Sequence, residues 1–279
     1  MKAPTLKAPA LKLPRRRPKA KKPKAPKFAT SRVLFRQTLR DVRADWRPYL
    51  WIMLVVTVPV DLASVFPQLA GDATVSAFAS FAAIVMNVSI IWAILRRQET
   101  GQVPRLAAAY YDSSVALVRF LLVTLALVVM LFPAGLGASL YSAALSAAGS
   151  TGVSIVELLL VGLVAFILST PSIYLMTRYG LAPLLTIRDG LRPVAALRLS
   201  RRLTLGRFWR VLGRYFMLGI FVVLLSIPAT ILTVIFSLLK LTTVATFVFE
   251  AVTTILVLPV TNLYLVHLVQ SLQENMARD

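Results

Sequence analysis

Cysteine is absent from the 279-residue chain, and histidine occurs once, as His267. The first absence excludes disulfides and thiolate-ligated metal sites. It carries no information on compartment, because membrane cores seldom need covalent staples. The second removes any site built on two histidines, whether a metal centre or a hydrolytic pair. Acid is scarce too, with 11 Asp and Glu against 31 Lys and Arg. Charged residues make up 15% of the chain and hydrophobic residues 58%, where a soluble domain carries roughly a quarter charged. That deficit points to an all-α, polytopic membrane protein. The sequence offers no phosphate-binding loop, no Ser-His-Asp set and no metal-ligand cluster, so nothing in it indicates an enzyme, a cofactor or a metal.

Long apolar runs are what the chain has instead. A span needs about 20 apolar residues to cross a ~30 Å hydrocarbon core. Six stretches qualify, at approximately 49–66, 74–95, 118–140, 154–176, 211–239 and 244–269. Five of them contain an internal proline: Pro59, Pro133, Pro171, Pro228 and Pro259. Each removes one helix hydrogen bond, which membrane helices tolerate where neighbours re-satisfy the backbone. The expected organisation is a six-span bundle over residues 33–270, with a tail at 1–32 before it and a short tail at 271–279 after it.

The placement of charge orients this bundle. Residues 1–32 hold twelve Lys and Arg, six prolines and no acid, a composition that predicts an extended, disordered arm. No apolar stretch follows the charges within the arm, so it does not read as a signal peptide, and the first span is long enough to serve as a signal anchor. In 33–47, Arg36, Arg40, Arg43 and Arg47 recur at helical spacing, and Leu34, Phe35, Leu39, Val42 and Trp46 mark a broad apolar side. This predicts an amphipathic helix at the membrane surface. With both termini cytoplasmic, 30 of the 31 basic residues fall on one side and only Lys240 opposite, as the positive-inside rule requires of a plasma-membrane protein. Arg47, Arg119 and Arg214 precede Pro59, Pro133 and Pro228 by 12, 14 and 14 residues. That spacing fits three copies of a surface helix plus a two-span hairpin. It fits equally well the general habit of cytoplasmic loops to end in arginine and aromatic anchors.

The densest basic stretch is 178–214, with nine arginines, no lysine and one acid, Asp189. At 100° per residue, Arg198, Arg201 and Arg202 fall within about 100° of arc, opposite Ala196, Leu199 and Leu203. Gly206 breaks the pattern, and Arg207, Arg210 and Arg214 then form a second stripe running into the fifth span. Trp209 and Tyr215 suit the headgroup level. The stretch reads as a basic, partly helical plate on the membrane face. These six arginines are the candidates for binding anionic lipid headgroups, because guanidinium forks match phosphate oxygens.

The pattern Leu181-Ala182-Pro183, Gly190, Pro193, Ala196-Leu197, Ser200, Leu203, Gly206, Phe208-Trp209-Arg210 resembles the loop between spans four and five in a bacterial family of six-span membrane proteins. That family comprises YciC-like proteins and the membrane domain fused to some glycerophosphodiester phosphodiesterases. The resemblance covers about residues 33–270 and implies the six-span architecture and a bacterial inner-membrane location. It implies no activity. The fused hydrolase is lacking, and its chemistry needs histidines and metal-binding acids that a single His267 cannot replace.

Inside the spans, Asp61 and Asn87 are the candidate polar sites. A carboxylate in a bilayer is a functional hypothesis by default, although Asp61 near the outer interface also suits the capping of a distorted helix. Asn87 is expected to make an interhelical hydrogen bond. Lys240, Glu157 and Glu250 are expected to form an ion pair at the outer ends, His267 to be interfacial, and Gly135, Gly137 and Gly162 to permit close packing. The expected function is a non-enzymatic, membrane-organising or accessory protein whose partners are the bilayer and its anionic phospholipids. A membrane-protein partner or a second copy of the chain is also compatible. The alternative is a small transporter or lipid-translocating protein using the kinked spans and Asp61. For the basic arm, lipid is preferred over nucleic acid or the ribosome, because lipid is always within reach.

Overall fold

The structure, a computed structural model, describes residues 30–65, 73–151 and 154–276. Most of the basic arm, Arg278 and the side chain of Asp61 lie outside the described residues. Among the described residues there are nine helices and no strand. They are α1 (Ser31–Ala44), α2 (Trp46–Val65), α3 (Ala73–Thr100), α4 (Leu106–Thr151), α5 (Ile155–Tyr179), α6 (Ala182–Arg188), α7 (Pro193–Thr204), α8 (Phe208–Leu238) and α9 (Thr242–Met276). Five stretches are long and apolar enough to cross a membrane: α3, α4, α5 continued through α6, α8 and α9. The apolar part of α2, Trp46–Val60, is shorter. All five anticipated prolines lie inside helices.

Local chemistry sets the boundaries. Ser154 and Glu157 form a reciprocal capping box that starts α5. Pro193 occupies the first turn of α7, where its missing N–H is no loss. Gly190 and Gly206 adopt φ of 60° and 70°, left-handed turns that favour glycine and that bracket α7. Within 178–214, two glycine turns and a proline in the first turn therefore set the limits of α7.

The hydrophobic core is gathered at the basic end of the bundle. There α9 packs against α1, α2, α3 and α8, and Leu34, Tyr49, Ile52, Ile94, Leu185 and Leu268 are buried. Toward the other end α4, α5 and α8 expose Leu125, Phe132, Leu159, Phe166, Val223 and Val234. An apolar surface of that extent is a lipid-facing one. The α4–α5 and α8–α9 hairpins are the tightest pairs. A Cβ on Gly137 would lie 2.7 Å from the Ala165 carbonyl oxygen, so this glycine sets the α4–α5 approach. Gly162 faces the Tyr141 ring, whereas Gly135 faces open space.

Two sequence expectations change. The helix that contains the apolar run 118–140 begins at Leu106, twelve residues before 118, because Ala109 and Ser113 are buried and Tyr110 donates its hydroxyl hydrogen to the Ile52 carbonyl. At 46 residues and 1.5 Å per residue, α4 is about 69 Å long, more than twice the hydrocarbon thickness. The stretch 178–214 is also not a single surface plate. Leu181, Ala182, Leu184, Leu185 and Ile187 are buried, so α6 is a plug inserted between α3 and α4, and the plate proper begins at α7.

Candidate functional site

The site is built from α7, the Gly206 turn and the first turns of α8, held over the end of α9. The structure divides the six candidate arginines into two groups. Arg198, Arg201, Arg202 and Arg210 are exposed and make no ion pair among the described residues. Arg207 is half-buried, and its guanidinium donates to the carbonyls of Leu272 and Asn275 at 3.5 and 3.4 Å. Arg214 is 5% exposed and reaches the Ser271 hydroxyl at 3.5 Å, while Tyr264 donates to its carbonyl at 3.4 Å. The last carbonyls of a helix lack intrahelical partners and carry the negative end of its dipole, so cations there are stabilising. Arg188 adds a third grip on α9 through Gln273, at 2.5 Å.

Arg207 and Arg214 are therefore fasteners that fix the height and angle of the plate. The four outward arginines are what the plate presents. Ala196, Ser200, Leu203 and Thr204 are buried beneath it, and the Ser200 hydroxyl donates to the Arg178 carbonyl at 2.8 Å. Arg119 braces the turn before α7 by donating to the Gly190 carbonyl at 2.7 Å. Trp209 is 78% exposed at the edge of the plate. Between the start of α1 and the first turns of α8 lies an open hollow of about 490 Å³, lined by Thr30, Ser31, Trp209, Arg210, Gly213 and Arg214.

Sequence reasoning missed how α1 is attached. Its arginines Arg36, Arg40, Arg43 and the following Arg47 all face outward, as their shared spacing implied. The inner face, however, carries two acids one turn apart. Asp41 meets His267 of α9 at 3.1 Å, and Asp45 forms an ion pair with Arg97 at the end of α3. Leu39 and Trp46, assigned to the apolar side, are about half exposed instead, while Leu34 and Thr38 are buried. The signal available in the sequence was Asp41 and Asp45 themselves, the only acids in an otherwise basic segment.

Within the apolar bundle, Asn87 accepts a hydrogen bond from the Asn262 amide at 2.9 Å, linking α3 to α9, and Ser89 pairs with Ser113 at 2.9 Å. The Ser172 hydroxyl donates to the Met130 carbonyl at 3.0 Å and accepts from the Ala134 N–H at 3.1 Å. At the opposite end, the anticipated ion pair among Lys240, Glu157 and Glu250 does not form among the described residues. Glu157 is turned back onto its own helix cap at Ser154, and Lys240 sits in the α8–α9 turn with φ of 62°. Among the described residues no group of three His, Asp or Glu side chains is placed to hold a metal ion. Comparison with family models, with curated proteins and with solved structures found no match to this chain.

Proposed function

We propose that this chain is a non-enzymatic, six-span protein of the bacterial plasma membrane with both termini cytoplasmic. Its role is to organise the membrane or to serve as an accessory to another membrane component, through an arginine face that holds anionic phospholipid headgroups. The observation that carries this reading is the division of labour on the plate. Arg207 and Arg214 are committed to α9, and Arg198, Arg201, Arg202 and Arg210 are left pointing outward beside an exposed Trp209. Basic residues near an anionic leaflet contribute about 1 kcal/mol each, and a guanidinium binds phosphate in a bidentate fork. The six-span arrangement accounts for the one-sided charge and accords with the family resemblance of the 178–214 loop.

A translocating protein needs a polar route through the bundle. Asn87, its best candidate within the described residues, is engaged by Asn262, which favours the headgroup reading.

The test replaces Arg198, Arg201, Arg202 and Arg210 together by Gln in the full chain. Native mass spectrometry then compares retained phosphatidylglycerol with retained phosphatidylcholine of identical acyl chains. The variant is expected to lose at least tenfold of the anionic preference, and its residual binding to lose salt dependence. An unchanged preference sinks the proposal.

A further inference from the structure

Helix α1 roofs an apolar space that is separate from the α7 plate. It is a cleft of about 170 Å³ lined by Leu39 and Val42 of α1, Trp46 of α2, Leu225 of α8, and Ile255 and Pro259 of α9. Pro259 accounts for its position. The residue has no N–H and its ring crowds the carbonyl of Ile255, one turn earlier, so the α9 ladder is interrupted beneath α1. The roof is tied down at Asp41, which meets His267 at 3.1 Å, and at Asp45, which pairs with Arg97. Both ties fall within the stretch from Leu39 to Trp46, so the cleft is preformed, as ligand sites usually are. Its mouth is open, because Leu39, Trp46 and Leu256 line it and are each about half exposed.

Depth and charge together specify the occupant. Phe35 of α1 packs against Phe221 and Tyr264, which sets the level of α1 on α8 and α9. Leu225 lies four residues beyond Phe221, and Val260, also in the lining, four before Tyr264. At the helical rise both stand about 6 Å from the level of α1, toward the opposite end of the bundle. The space therefore lies on the bilayer side of α1, where hydrocarbon chains are at hand. The mouth, by contrast, carries two arginines. Arg43 adjoins Val42 and sits one turn from Leu39 on α1, and the Arg47 guanidinium lies 5.7 Å over the Trp46 ring. Both are exposed and make no ion pair among the described residues. Stacking uses the face of a guanidinium and leaves its edge donors free. A neutral hydrocarbon would leave those donors unanswered, and a soluble anion would leave the cleft empty. A molecule with an anionic head and a hydrocarbon tail meets both.

We infer that the cleft beneath α1 is a second lipid site, which takes one anionic phospholipid. The phosphate lies between Arg43 and Arg47, and one acyl chain fills the space under α1. The site rests on the membrane crossing and orientation proposed above, and it shares no residue with the α7 plate.

Trp46 in the cleft wall reports on the occupant. With Trp51→Phe, Trp92→Phe and Trp209→Phe in the full chain it is the sole tryptophan, and bromine on an adjacent acyl chain quenches its fluorescence. The protein is reconstituted in phosphatidylcholine vesicles that contain a small fraction of phosphatidylglycerol or phosphatidylcholine with brominated chains. Brominated phosphatidylglycerol is expected to quench Trp46 as if enriched about tenfold, the attraction that two basic residues at an interface supply. Brominated phosphatidylcholine is expected to quench only in proportion to its share of the bilayer. Adding Arg43→Gln and Arg47→Gln is expected to make the two lipids equal, whereas replacing Arg198, Arg201, Arg202 and Arg210 by Gln is expected to leave the preference at Trp46 in place. Failure of this site and failure of the plate are thereby read separately. Equal quenching by the two lipids in the starting protein overturns the inference. So does a preference that survives the Arg43 and Arg47 changes, or one that vanishes with the plate arginines. In the chain with all four tryptophans, Arg43→Gln/Arg47→Gln is expected to retain one phosphatidylglycerol fewer than the wild type by native mass spectrometry. An unchanged number overturns the inference without the tryptophan variants.

Discussion

Ser172 shows how a single hydroxyl makes a proline affordable in a bilayer. Pro133 has no N–H and its ring crowds the preceding turn, so the helix ladder opens around it. The Ser172 hydroxyl enters that opening from α5, giving its hydrogen to the Met130 carbonyl and taking one from the Ala134 N–H. It thus bridges the two groups that would bond each other in an unbroken helix. Leaving even one of them unsatisfied in an apolar setting costs about 1–3 kcal/mol. Ser172→Ala is therefore expected to lower stability by that amount, measured by thermal unfolding in detergent. The same substitution in a Pro133→Ala background, where α4 can close its own ladder, is expected to cost much less. A double-mutant cycle with no coupling between the two positions would falsify the wedge.

At the scale of elements, α1 is a strap rather than a floating surface helix. Phe35 packs against Phe221 and Tyr264, with ring centroids 3.9 and 5.0 Å away, and Asp41 and Asp45 tie it to α9 and α3. Hydrogen bonds to charged groups are worth about 1.5–3 kcal/mol, so Asp45→Asn is expected to loosen the strap without unfolding the bundle. Hydrogen exchange should then rise at least tenfold in 31–44 while that of α3 and α9 is unchanged; uniform exchange across all three helices would show that the pair supports the whole core instead. The helices themselves were legible, because apolar length and internal proline are local properties. So was the Gly206 break, since a left-handed turn favours glycine. The plug α6 was not, because seven residues flanked by arginine read as surface until α3 and α4 are seen to close around them. Nor was the split between gripping and presenting arginines. Arg207, which caps α8, and Arg210 in its first turn share a stripe in the sequence, and only the position of the α9 terminus, some 65 residues away in sequence, decides which one turns inward.

For the whole molecule, the decisive issue is the path of α2, whose apolar run is the shortest of the six. Its start is fixed at the basic end, because Asp45 just before it pairs with Arg97 in the last turns of α3. Gln98 of α3 also meets Gln270 of α9 there, at 2.6 Å. Along its course Thr57 donates to the Met86 sulfur at 3.6 Å, so α2 runs antiparallel beside α3. The chain must then reach Ala73, at the far end of α3, within 27 residues of Trp46. If α3 crosses the bilayer, the chain from 46 to 73 crosses it as well, whatever the hydropathy of α2 alone. The absence of native cysteine makes the consequence directly measurable, since any introduced thiol is the sole target. Val33→Cys, before α2, Leu205→Cys, beside the Gly206 turn, and Leu239→Cys, in the α8–α9 turn, all replace exposed side chains. In intact spheroplasts an impermeant maleimide is expected to label only Leu239→Cys, and permeabilisation is expected to add the other two. Labelling of Val33→Cys from outside, with Leu205→Cys protected, would mean that α2 turns back within the membrane and that the chain crosses five times. Protection of all three would place the α8–α9 turn inside and overturn the charge-based orientation itself.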